Sequence, residues 1–208
     1  HEGRMTRGNG RYGAVAAGHG ETAAAAAEIL ADGGNAFDAA IAALWTACVA
    51  EPVLASPGGG GFMMALRDGR AHLFDFFVDT PRHKRPVADI EFHEIHADFG
   101  PVTQAFHIGR GAAATPGFVP GIFAVHDAFG TIPMRRLVEP AIRLAREGLR
   151  VTDFQAYLAV VVSPILTASP AARALFAPDG PTLPGGAIYR NPDLADAIEA
   201  VAREGVRL

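Results

Sequence analysis

The stretch Glu28-Ile29-Leu30-Ala31-Asp32-Gly33-Gly34-Asn35-Ala36-Phe37-Asp38-Ala39-Ala40-Ile41-Ala42 decides the fold. Its first part ends a helix predicted from about Thr22 to Asp32. Gly33 and Gly34 follow, and glycine just past a helix end adopts the left-handed backbone that a cap requires. Asn35 restarts the pattern at once, because its side chain can accept from the first free N–H groups of a new helix. Asp38 stands three residues on, in the capping-box position, as a shorter acid. The second helix is predicted over Ala36–Ala50, stopped by Glu51-Pro52. It is apolar nearly all round (Phe37, Ile41, Leu44, Trp45, Val49), so it is expected to be buried on several sides.

Outward from this pair, Tyr12–Ala17 reads as a short strand. Residues 1–11 read as a flexible lead-in, and 12–208 as one incomplete segment of a larger domain. After Ser56-Pro57-Gly58-Gly59-Gly60-Gly61 come two strand-like runs, Phe62–Leu66 and Ala71–Phe77. The Asp68-Gly69 pair between them is a strong hairpin signal. Residues 79–110, rich in Pro, His and charge, read as a long loop with short strand pieces. Helices are then predicted at about 119–129, 134–147, 153–163 and 192–204, punctuated by prolines. This order points to α+β or layered α/β rather than a βαβ repeat.

Composition narrows the function. Of 208 residues half are apolar, which supports a packed core. Against 18 basic residues stand 22 acidic ones, a formal charge of −4 that argues against a nucleic-acid footprint. No apolar run approaches the roughly 18 residues of a membrane span, so no membrane partner is expected. Cys48 is the single cysteine, within an apolar run, and reads as a small buried hydrophobe. With no signal-like start, the expectation tilts toward the cytoplasm, with periplasmic or secreted placement open.

Each candidate for chemistry meets a simpler reading. The glycine run 58–61 lacks the lysine and hydroxyl of a phosphate loop and precedes a strand, so a tight bend explains it better. His93-Glu94-Ile95-His96 has i, i+3 spacing, one residue short of the zincin pattern. Ser56, Ser163 and Ser169 each precede a proline, which marks turns and boundaries before nucleophiles. His19 has the chemistry of a base but no nucleophile nearby in sequence. The residues alone assemble no catalytic set, no metal site and no cofactor site.

Several blocks in order resemble the gamma-glutamyltranspeptidase family. They include Gly13–His19, the Gly33-Gly34-Asn35-Ala36-Phe37-Asp38-Ala39-Ala40 block, and Glu51-Pro52 with Pro57–Met63. Further blocks are Asp75-Phe76 with Pro81, Thr115-Pro116-Gly117, Phe129–Pro133, and Pro140-Ala141 with Ala145–Gly148. The resemblance covers about residue 12 onward and corresponds to the N-terminal part of the large subunit. It implies a four-layer αββα sandwich of the N-terminal-nucleophile class, made from a self-cleaving precursor. It further implies an amide hydrolase or acyltransferase acting on a small-molecule amide or γ-glutamyl substrate. The nucleophile would be a threonine at the start of a small subunit, the partner segment of the same precursor, outside this sequence. No cofactor is implied.

One departure stands out. The family's D-F-R-E block uses its arginine to hold the α-carboxylate of the glutamyl group, and Phe77 occupies that position here. Phe77 is therefore the one substrate-binding candidate, marking a divergent branch with an apolar donor pocket. It also reads simply as a core strand residue. Arg70 or Arg82 is a possible substitute cation. The alternative to an enzyme is a non-catalytic family member, or a truncated scaffold fragment used for binding.

Overall fold

A computed structural model describes residues 13–205. The predicted lead-in 1–11 and Tyr12 lie outside the described residues. The chain forms two compact units. The first takes in residues up to Val78, Pro116–Glu147 and the segment from Asn191 onward; the second takes in Asp79–Thr115 and Gly148–Arg190.

The first unit is built on α1 (Gly20–Ala31) and α2 (Ala36–Ala50). Helix α1 begins two residues before its predicted start because the ring of His19 caps it, Nδ1 accepting from Glu21 N–H at 3.1 Å. At its other end Gly34 N–H donates to Ile29 O and Gly33 N–H to Leu30 O, with Gly33 at φ +89°. That paired pattern is the Schellman stop. The full capping box then opens α2: Asn35 Oδ1 accepts from Phe37 and Asp38 N–H, and Asp38 Oδ2 accepts from Asn35 N–H. Helix α2 spans its predicted range.

Hairpin strands β1 (Gly61–Arg67) and β2 (Arg70–Phe76) pair antiparallel, from Gly61 opposite Phe76 to Arg67 opposite Arg70. Asp68 and Gly69 both have positive φ, as a two-residue hairpin turn demands. Around the helix pair and hairpin stand α3 (Phe118–Phe129), α4 (Met134–Leu137), α5 (Glu139–Glu147) and, late in the chain, α9 (Pro192–Glu204). The predicted helix 134–147 is broken at Val138, since Pro140 has no N–H to give the Arg136 carbonyl. The core gathers Ile29, Ile41, Trp45, Phe118, Ile122 and Leu137, with Trp45 edge-on to Phe118 at 5.3 Å. Fully burying each such side chain contributes roughly 1.5–3 kcal/mol.

The second unit holds β3 (His93–Asp98) paired antiparallel with β4 (Thr103–Ile108), and short β5 (Leu149–Arg150) paired with β6 (Ile188–Tyr189). Its helices are α6 (Asp153–Val161), α7 (Ser163–Leu166) and α8 (Pro170–Phe176). The short strand pieces expected within 79–110 are strands β3 and β4, paired as one hairpin. Helix 153–163 ends at Val161, because Pro164 cannot donate to the Val160 carbonyl. Pro170, one of the punctuating prolines, starts α8 behind the Ser169 cap, a helix absent from the sequence expectation. In the first unit, the predicted strand Tyr12–Ala17 forms no ladder over residues 13–17, whose side chains are mostly exposed. The described chain is thus α+β, with three separate two-stranded sheets.

Candidate functional site

The site is built at the open end of the β1–β2 hairpin. Ser56 starts it: its hydroxyl accepts from Gly58 N–H and its carbonyl from Gly59 N–H, closing a tight turn. The Gly59 carbonyl then accepts from both Gly117 N–H (3.1 Å) and Phe118 N–H (3.0 Å), which ties the glycine loop to the start of α3. These are N–H groups that a helix start would otherwise leave without intrahelical partners.

The end of β2 runs against this loop. A Cβ placed on Gly60 would lie 2.6 Å from Phe76 O and 2.7 Å from Val78 N. One placed on Gly117 would approach Phe76 O and lie 2.6 Å from Phe77 O. Backbone fits this closely only where side chains are absent. Phe76 turns inward and is buried, whereas Phe77 lies one residue past the strand and is 58% exposed. Phe77 is therefore not the core strand residue that its apolar run suggested. Its N–H donates to Asp75 Oδ1 at 3.1 Å, and its ring stacks on Phe62, centroids 5.4 Å apart and planes 10° from parallel.

Alternation along the hairpin explains the exposure. Met63, Ala65, His72, Phe74 and Phe76 share the covered face. The opposite face carries Phe62, Met64, Leu66 and Leu73, all exposed in the described chain. Arg70 does not replace a missing cation beside Phe77, because it stands at the turn end of β2, about 20 Å along the strand. Arg82 belongs to the second unit.

The other sequence candidates have structural roles. Cys48 is buried, and burial pushes its thiol up to about 12, so no thiolate forms near neutral pH. His19 caps α1. His93 and His96, an odd number of residues apart on β3, point to opposite sheet faces. No group of three or more His, Cys, Asp or Glu among the described residues is arranged to hold a metal ion. The hydroxyls of Ser56 and Ser169 each accept from a nearby backbone N–H. Sequence reading missed the Phe62 partner, and only the hairpin register reveals that residue 62 shares a face with the chain end beyond Asp75.

The Asp38 corner is a second polar centre, wholly buried. Its carboxylate accepts from Asn35 N–H (2.9 Å), Thr131 N–H (2.9 Å), Thr131 Oγ1 and Ile132 N–H (3.3 Å). Burial pushes this carboxyl up, but the Thr131 hydroxyl and the Asn35, Thr131 and Ile132 N–H groups together outweigh it. The result is a group held below its ordinary range, ionised and fully occupied. Nothing about it is free to act on a substrate.

The sequence model of the Gamma-glutamyltranspeptidase family matches residues 22–208. The chain belongs to the gamma-glutamyltranspeptidase family. Among curated relatives, the glutathione hydrolase proenzyme of Pseudomonas aeruginosa is 34% identical over 202 residues, covering 93% of this chain and 33% of that protein. The Acylase ACY 1 proenzyme of Pseudomonas sp. (strain SE83) is 32% identical over 199 residues, covering 95% and 36%. The solved gamma-glutamyltranspeptidase of Pseudomonas nitroreducens, complexed with L-DON, superposes with a TM-score of 0.76 at 32% identity, covering 94% of this chain and 56% of that one. The Helicobacter pylori gamma-glutamyltranspeptidase, 24% identical, shares the fold with a TM-score of 0.79 over 96% of this chain and 56% of its own. The α+β fold is thus that of the N-terminal-nucleophile hydrolases in this family. The chain spans about a third of the length of the curated relatives it matches. Within the family frame, the Gly33–Ala40 block is the capped corner and the glycine loop is the hairpin's anchor.

Proposed function

We propose that this chain is the N-terminal large-subunit part of a self-processing amide hydrolase or acyltransferase with an altered donor site. The observation that carries the donor reading is Phe77, exposed and stacked on Phe62 where the family's glutamate-binding arginine is expected. A phenyl ring donates nothing to an α-carboxylate, so the usual charge-assisted grip on a γ-glutamyl group is missing. Two exposed rings suit an apolar acyl group instead. That one relative is named an acylase and another a glutathione hydrolase supports a family in which such a change is tolerated.

The nucleophile in this reading is a threonine hydroxyl outside residues 1–208, with the threonine's own α-amine as base. Its oxygen attacks the amide carbonyl, and oxyanion donors stabilise the tetrahedral intermediate. The amine leaves with a proton, and water or a second amine takes the acyl group. The partner is the small-subunit segment of the same precursor. The exposed row Phe62, Met64, Leu66 and Leu73 supports this, because apolar residues on both faces of a hairpin suit a strand pair covered on both sides.

Intact mass and N-terminal sequencing of the protein expressed from its complete reading frame test the proposal. Two fragments, the second beginning with threonine, are expected. A single uncleaved chain would instead favour a non-catalytic relative.

A further inference from the structure

We infer that Gly60, Gly117 and Asp75 are positioning residues that hold the main chain of residue 77, and through it determine which acyl donor the site accepts. The inference rests on the reading that residue 77 faces the donor.

Three independent constraints meet on this one peptide segment. From one side Gly60 lies against Phe76 O, the Phe77 carbonyl carbon and Val78 N, leaving no room for a Cβ. Gly117 lies against the carbonyls of Phe76 and Phe77 in the same way. The Asp75 carboxylate holds the Phe77 N–H. Gly59 joins the two glycine contacts, since its carbonyl takes both N–H groups at the start of α3. The buried Phe76 ring anchors the neighbouring residue: a Cβ on Gly61 would lie 3.2 Å from it, and one on Gly121 would overlap it. An exposed side chain is ordinarily free to wander, yet the backbone carrying Phe77 is restrained on both flanks. Its ring is further restricted by Phe62. Such restraint is what a recognition residue needs, because a displacement of about 1 Å can cost on the order of a hundredfold in rate.

The chemistry predicts a distinctive pattern. A methyl group at residue 60 or 117 must push residues 76–78 aside, because the atoms it meets are backbone rather than flexible side-chain ends. Donor choice then changes without any change in the side chain that reads the donor. Loss of the Asp75 acceptor loosens the same segment more gently and with little steric cost.

The test uses the intact processed protein and compares kcat/KM for an apolar acyl anilide with that for a γ-glutamyl anilide. Gly60→Ala and Asp75→Ala are each expected to change the ratio by about fivefold or more, whereas Asp75→Asn, which keeps the carbonyl acceptor, restores it. Gly34→Ala is the matched control. Its Cβ would meet Ile29 O at 2.9 Å and Ile29 Cγ2 at 2.7 Å, at the helix corner. It is expected to lower Tm and leave the ratio within about twofold. If Gly60→Ala does not fold, the Asp75 pair still decides. An unchanged ratio in Gly60→Ala and Asp75→Ala overturns the inference, and if Phe77→Arg still shifts the ratio, the donor reading survives it. An unchanged ratio in Phe77→Arg as well overturns both.

Discussion

The helix corner and the hairpin rim solve opposite problems with opposite materials. At the corner, Asp38 lies in full burial and its carboxylate takes hydrogen bonds from the Asn35, Thr131 and Ile132 N–H groups and the Thr131 hydroxyl. At the rim, Gly60 and Gly117 let three backbone segments close on one another, and the apolar Phe77 is turned outward. The corner commits its polar groups to stability. The rim restrains its backbone and leaves an aromatic surface unsatisfied. The buried Asp38 belongs to the scaffold, and the exposed Phe77 belongs to the candidate site.

That contrast can be broken most forcefully at Asp38. Replacing it by alanine strands the N–H groups of Asn35, Thr131 and Ile132, and about 3 kcal/mol or more of stability should be lost in denaturant titration. The donor ratio of any folded fraction should not change. A loss below about 1 kcal/mol would show that the corner is less essential than its hydrogen bonds suggest.

Asn35→Ala comes next. It removes the cap of α2 and also the Nδ2 bond to Phe129 O at 2.7 Å. A loss of about 1–2 kcal/mol is expected, read as a lower denaturation midpoint with an unchanged slope.

Acid sharpens the comparison further. The folded Asp38 carboxyl lies below its unfolded value, so its contribution is fully present above the unfolded pKa, near pH 4, and disappears as pH falls through the folded value. Asp38→Asn should therefore flatten the stability profile below about pH 4 relative to the native protein. Identical acid slopes in the two proteins would contradict this assignment.

The smallest effect is expected at the rim. Phe77→Ala removes an exposed ring and one stacking contact, so the stability change should stay within about 1 kcal/mol. A larger loss would mean that Phe77 is part of the core after all.

The sequence was readable where its signals were local. Asn35 and Asp38 lie three residues apart, and cap geometry depends on nothing further away, so α2 was delimited from its own letters. The Asp68-Gly69 turn was readable for the same reason. Proline was ambiguous, because Pro140 divides the helix predicted across it and Pro164 shortens the one predicted before it, whereas Pro170 opens one behind the Ser169 cap. His19 had no nucleophile beside it in sequence and is a cap, and the short strand pieces expected within 79–110 are paired as the β3–β4 hairpin. The rim was only half readable. The departure at Phe77 showed in the family blocks, but its exposure did not. Leu73-Phe74-Asp75-Phe76-Phe77 is apolar on both strand faces, and only the register with β1 separates the inner ring from the outer one. The close approach of Gly117 to a strand some forty residues earlier left no local trace at all.

Donor competition in the intact protein, with Phe77→Arg beside it, tests the role of residue 77 most directly. Initial rates on an apolar acyl anilide and a γ-glutamyl anilide give one ratio for each protein. The native protein is expected to favour the apolar donor, and Phe77→Arg to move the ratio toward γ-glutamyl by about tenfold or more. A native preference for the γ-glutamyl donor, with no change on introducing arginine, would contradict an apolar donor site at Phe77.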